Sequence, residues 1–72
     1  MENIVGFSPL TNLELKCIQR CAHGKTDVEI GTECALSATE VASLLSIVRM
    51  KLSCPNRLSA VAKAARLGLL QN

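Results

Sequence analysis

At 72 residues the chain holds about half of a typical ~150-residue domain, enough for one small domain and too little for a multidomain enzyme. Hydrophobic residues make up 49%, rich in Leu and Ala, with 4 Gly, 2 Pro and a single aromatic side chain, Phe7; this is the composition of a soluble helix former and argues against disorder and most β architectures. Charge is uneven, with three cations against six acids in residues 1–40 and five cations with no acid in residues 41–72, so the net +2 conceals a basic C-terminal half suited to an anionic partner such as DNA, unless these cations simply dress solvated helix faces.

Met1-Glu2-Asn3 opens no basic, apolar leader, and the apolar runs fall far short of the ~18 residues that span a bilayer; the expectation is a cytoplasmic chain. Residues 1–72 read as a single domain, with a short extension over 1–9 and a core over 10–70. A domain this small has a thin core, and oligomerisation is an expected source of extra stability.

The recurring local signal is Ser or Thr followed three residues later by Glu, a box in which side chain and backbone satisfy each other's free groups at a helix start. Thr11 with Glu14 begins a first helix that runs to about His23 and is stopped by Gly24. Its apolar side carries Leu13, Cys17, Ile18, Cys21 and Ala22, with Lys16, Gln19, Arg20 and His23 opposite. Glu14 falls inside the apolar side, which calls for a buried cation, and Arg57 is the expected partner. Thr26 with Glu29 begins a short second helix to about Cys34. Ser37 with Glu40 begins the longest, to about Leu52, beyond which Pro55 bars continuation.

That third helix has a core stripe of Val41, Leu44, Leu45, Val48 and Leu52. Its opposite face shows Thr39, Ala42, Ser43, Ser46, Arg49 and Met50, small and short polar side chains that let a helix approach a large partner closely, as a major groove requires. An ordinary solvated face is the alternative, though such faces usually carry more Lys and Glu. A fourth helix follows Asn56 and ends at Gly68. Its apolar arc is wider than one packing surface needs, with Leu58, Val61, Ala62, Ala65 and Leu69 in one part and Ala60, Ala64 and Leu67 in the other. One part can pack on the domain and the other on a second copy.

Cys17, Cys21, Cys34 and Cys54 form no C-x-x-C pair, and His23 sits beside Cys21 rather than one turn away, so no metal site is expected and the thiols read as small buried hydrophobes. Residues two apart on a helix do not face each other, which excludes a Cys21–His23 nucleophile and base pair. His23 reads instead as a residue at a helix C-terminus. No acid, base and nucleophile converge on any helix face, so no enzyme, cofactor or small-molecule ligand is expected.

A short helix over Thr26–Cys34, a turn at Ala35-Leu36-Ser37 and a longer helix over Ala38–Leu52, braced by the first helix, follow the plan of a helix-turn-helix unit. The chain resembles the LuxR-type (GerE-type) DNA-binding domain without a gap from Leu10 to Leu70. The matching residues are Leu10-Thr11, Glu14, Ala22, Gly24, Glu29-Ile30, Leu36-Ser37, Val41, Lys51-Leu52, Arg57, Ala60-Val61, Ala64 and Gly68-Leu69. The resemblance implies an all-α, four-helix domain whose third helix enters the major groove and whose fourth pairs two copies on DNA, with Ala62, Ala65, Leu67 and Leu69 as the expected homodimer interface. It places Ala42, Ser43 and Ser46 where the family reads bases, and Thr26 and Lys51 at or near backbone-contacting positions. Arg49 joins the base readers from its place on the helical wheel, and Thr39 joins the backbone contacts at the start of the same face. Receiver or ligand-binding modules usually accompany this domain in the family, but the 72 residues hold neither, so the expectation is a stand-alone form governed by its amount or by a partner.

Departures from the family pattern bear on affinity. The family's usual Thr before Val41 is Glu40, its usual His three residues after Val41 is Leu44, and the commonly basic positions at Ala42 and Ser46 are uncharged. Each missing cation removes a phosphate contact of the kind that supplies most non-specific affinity. The leading expectation is a small transcriptional regulator that binds a two-fold symmetric duplex DNA site as a dimer, weakly and with strong salt dependence. The alternative is a divergent domain that no longer binds DNA and regulates another transcription factor through its fourth helix and the flank of the third around Ile47.

Overall fold

The computed structural model describes residues 10–70, in which four helices follow one another: α1 (Asn12–Ala22), α2 (Asp27–Cys34), α3 (Ala38–Lys51) and α4 (Arg57–Arg66). Each of the three expected boxes is formed. The Thr11 hydroxyl accepts from the Glu14 N–H at 3.1 Å while Glu14 Oε1 accepts from the Thr11 N–H at 2.9 Å, and Thr26 with Glu29 and Ser37 with Glu40 repeat the arrangement. A fourth box joins Asn56 and Ser59 at the start of α4, where the third position holds Ser in place of the Glu or Gln that marks the sequence pattern. The last helix ends two residues earlier than its punctuation predicts, with Gly68 in the left-handed region (φ 77°) inside the closing turn.

Four apolar stripes meet in one core: Cys17 and Ile18 from α1, Ile30 from α2, Val41, Leu45 and Val48 from α3, Leu52 and Cys54 beyond it, and Ala60 and Ala64 from α4. Burying each large aliphatic side chain contributes roughly 1.5–3 kcal/mol. The contributing positions on α3 recur at three- and four-residue spacing, as the expected stripe does. Leu44 is only half-buried, and Leu13, expected on the apolar side of α1, is 39% exposed. Both α1 and α3 pack on each of the other helices, whereas α2 and α4 do not pack on each other. Helices α1 and α3 are thus the frame, and α2 and α4 lie against it. No helix among the described residues is long and apolar enough to cross a membrane.

Candidate nucleic-acid interface

The connection between α2 and α3 is built to hold one angle. Ala35 takes the left-handed conformation (φ 59°) that ends α2, the Leu36 N–H donates to the Gly31 carbonyl at 2.8 Å, and Ser37 already caps α3. Gly31 is required by this closeness, since a Cβ there would run into the backbone carbonyl of Leu36. Two helices joined by a three-residue turn, with α1 braced against both, leave the far side of α3 turned outward.

On that side Thr39, Ser43, Ser46, Ile47 and Met50 are exposed, with Ile47 at 41% and Met50 at 65%, and Ala42 and Arg49 are half-buried on one flank. The expected base readers therefore share a surface, and its centre carries no charge. Glu40 stands at its head, but Oε1 accepts from the Ser37 N–H at 2.8 Å, so the carboxylate is engaged at the helix start. Arg49 reaches past the end of the helix, its Nη1 donating to the Cys54 carbonyl at 3.0 Å. The hydroxyl of Thr26, the N-cap of α2, accepts from Glu29 and keeps its own proton for donation.

Lys51 leaves α3 toward α1. Its Nζ lies 2.8 Å from Glu14 Oε1, with the carboxylate side chain 6% exposed and the lysine 29%. This corrects the expectation that Arg57 partners Glu14, because Arg57 makes a two-pronged bridge to Asp27 at 2.8 and 3.2 Å that ties the start of α4 to the start of α2. The two partnerships can be told apart only once the packing of α3 on α1 is known. Burial pushes the Glu14 carboxyl up, but the Lys51 hydrogen bond and the Thr11 N–H outweigh it and hold the group below its ordinary value of 4.5.

Other cations are also engaged. Arg20 and Lys25 converge on Glu33 and, with Lys25 first, hold its carboxyl below the ordinary value; Lys63 donates to the Leu52 carbonyl at 2.8 Å. Six of the eight Lys and Arg side chains therefore have protein partners among the described residues. The cysteines are free thiols, Cys17 and Cys54 buried, Cys21 and Cys34 half-buried. Burial, then the neighbouring Cys34, pushes Cys17 up to about 11.

The fourth helix divides as its wide apolar arc implies. Ala60 and Ala64 enter the core, while Ala62 and Ala65 are exposed and Leu58 is 80% exposed. Of the other residues expected at a dimer interface, Leu67 is exposed, whereas Leu69 is half-buried against the core and its carbonyl accepts from Gln19 Nε2 at 3.0 Å. Leu58 belongs to this arc by sequence, and the packing of α4 makes it the most exposed large apolar side chain among the described residues.

A capped helix pair at a fixed angle, braced from behind and presenting short side chains on its second helix, defines an all-α helix-turn-helix domain of the GerE type. The family model of the bacterial regulatory proteins, luxR family, matches residues 8–64, and the chain belongs to that family. It is similar to proteins named HTH-type quorum sensing-dependent transcriptional regulator VjbR from Brucella ovis, Brucella abortus and Brucella suis, each 41% identical over 63 residues that cover 88% of this chain. The chain spans about a quarter of the length of these curated relatives, the matched part being 24% of each.

Proposed function

We propose that the chain acts in transcription regulation by binding duplex DNA as a homodimer, with α3 in the major groove and α4 at the contact between copies. The observation that carries this reading is the outward face of α3, where Thr39, Ala42, Ser43 and Ser46 keep the helix surface low enough to seat against base edges. Ala42, Ser43 and Ser46 then read bases through methyl and hydroxyl contacts, Arg49 works from the flank, and Thr26 and Thr39 hold the backbone. With Lys51 engaged at Glu14, its main service is to hold the end of α3 against α1. DNA shape supplies the remaining preference.

Pairing through α4 uses Leu58, Ala62 and Ala65, whose exposed apolar surface has no cover within the described residues, with Leu67 at its edge. Changing Leu58 and Ala62 to Glu should convert the sedimenting species from dimer to monomer without loss of helix; a variant that still sediments as a dimer places the interface elsewhere.

The test of the whole reading is selection of genomic DNA fragments by the purified chain at near-physiological salt, followed by sequencing. An enriched, approximately palindromic motif is expected. Retention of no duplex by the folded protein would sink the reading and favour the second one, in which the exposed Ile47 and Met50 of the same face meet another transcription regulator.

A further inference from the structure

Beside the outward face of α3 lies an open cleft of about 210 Å³, walled by Ala42, Leu45, Ser46 and Arg49 on the helix and by Pro55, Asn56 and Arg57 at the start of α4. Its origin is local. Ser53 takes a left-handed turn (φ 58°) at the end of α3, Pro55 prevents the helix from resuming, and the chain doubles back along the α3 flank. Arg49 ties the returning segment down through the Cys54 carbonyl, and the short side chains of Ala42 and Ser46 leave the space open.

The charges around this cleft do not cancel. No carboxylate lines it. Arg57 is neutralised by Asp27, but Arg49 is held by a carbonyl, which orients the guanidinium without neutralising it, and among the described residues no carboxylate pairs with it. A guanidinium has five N–H donors in a fixed fork, of which one is used. Asn56 spends its Oδ1 on the Ser59 N–H at 2.8 Å, which leaves its amide N–H donors for something else. A positioned, uncompensated guanidinium, an amide donor and the Ser46 hydroxyl around an open cleft are the donor set for a tetrahedral oxyanion.

From this arrangement we infer that the cleft seats one backbone phosphate of the bound duplex, with Arg49 as its principal ligand and Asn56 and Ser46 as supporting donors. The inference rests on the DNA-binding reading above and changes two parts of it: Arg49 anchors the backbone instead of reading a base, and the Ser46 hydroxyl turns to the phosphate beside it. The position agrees with this role, because Arg49 and Ala42 are half-buried on the flank while Ser43 and Met50 stand exposed. A phosphate lies beside the groove floor, where a flank can reach it.

A phosphate contact and a base contact leave different traces. Losing a phosphate contact weakens binding to every sequence alike and lowers the salt slope by about 0.9, so between 50 and 200 mM salt the wild type should lose about three- to fourfold more affinity than the variant. Losing a base contact relaxes preference at one position. The probes are a duplex carrying the motif enriched in the selection and a duplex of scrambled sequence, titrated by fluorescence anisotropy across that salt range with the full chain. Arg49→Gln is expected to weaken both duplexes by the same factor with the shallower slope, and Arg49→Lys to restore the slope. Asn56→Asp guards against a folding artefact, because Asp caps a helix as well as Asn does yet puts a carboxylate in the cleft; it should weaken both duplexes several-fold with an unchanged melting temperature. If the wild type binds and Asn56→Asp binds equally well, or if Arg49→Gln changes preference at one base pair with its slope intact, the seat is overturned and the DNA-binding reading stands. If the folded wild type binds neither duplex at low salt, both fall together.

Discussion

Replacing Lys51 with Met should unfold the domain far more readily than any other single loss of charge. The carboxylate of Glu14 is nearly sealed from water, and it is stabilised by Lys51 Nζ at 2.8 Å and the Thr11 N–H at 2.9 Å. Breaking a buried ion pair from one side costs roughly 3–5 kcal/mol, because the partner's charge stays buried. Here the lysine is 29% exposed, so water reaches one side of the pair and about 2–3 kcal/mol is the expected loss at neutral pH. For a domain this small that lowers the melting temperature by about 4–8 °C per kcal/mol, which far-UV circular dichroism will follow. The pH dependence supplies the stricter check. In the wild type the folded carboxyl lies below its ordinary 4.5, so its contribution is complete above that value and is lost as pH falls through the lowered one. In Lys51→Met burial acts with its chief opponent gone and moves the folded value up from that of the wild type, so the variant's deficit is greatest at neutral pH and shrinks on acidification. Glu14→Gln should cost less, since Gln preserves the capping box. A Lys51→Met variant within about 0.5 kcal/mol of wild type, or one whose deficit stays constant with pH, would refute the buried-pair account. Arg57→Leu should cost at most about 1 kcal/mol in a thermal melt at neutral pH, the range of an exposed pair.

Gly31→Ala introduces a Cβ where the backbone carbonyl of Leu36 already stands; backbone cannot swing aside as a side chain can, and a loss of at least ~2 kcal/mol in urea unfolding is expected, with an unchanged curve disproving the close approach. Ala35→Gly runs the other way: the left-handed φ of 59° strains Ala by about 1–2 kcal/mol, relief of which is partly offset by the greater backbone freedom of Gly when unfolded, so a net gain of up to ~1 kcal/mol should appear as a higher melting point, and a lower one would mean that Ala35 packs in a way that outweighs its backbone. Alkylation of the native protein should modify the half-buried Cys21 and Cys34 before Cys17 and Cys54, read by mass spectrometry of peptides against time; early labelling of Cys17 would contradict both its burial and its raised pKa.

The helix starts were legible because each rests on two residues three apart, and Thr11/Glu14, Thr26/Glu29 and Ser37/Glu40 all fold as their spacing predicts. The core stripe of α3 was legible for the same reason, since period alone decides which side faces inward. What escaped was information carried by space instead of spacing. The left-handed residues at Ala35 and Ser53 lack the Gly that usually signals such a conformation. The partner of Glu14 is 37 residues away and six positions before the expected Arg57, a choice settled by how α3 crosses α1. The cleft beside Arg49 likewise exists only because a turn at Ser53 lays Pro55 and Asn56 along a helix flank.

These cation assignments recast the basic C-terminal half. Read from the sequence, Arg49, Lys51, Arg57, Lys63 and Arg66 form a charge excess available to a polyanion. In the fold Lys51 and Arg57 are neutralised by Glu14 and Asp27, whereas Arg49 and Lys63 are held by carbonyls that leave their charge intact. The two kinds of partner have opposite consequences for DNA. A cation paired with a carboxylate brings almost no net counterion release when it meets a phosphate, but a cation held by a carbonyl brings its full share and has less conformational freedom to lose. The number of phosphates neutralised should therefore follow the carbonyl-held and unpaired cations rather than the total. On this argument a salt slope below the count of basic residues is the expected signature of the fold, and the base-contacting face of α3 has to supply a larger share of the affinity than it would in a domain whose recognition helix carried its own lysines.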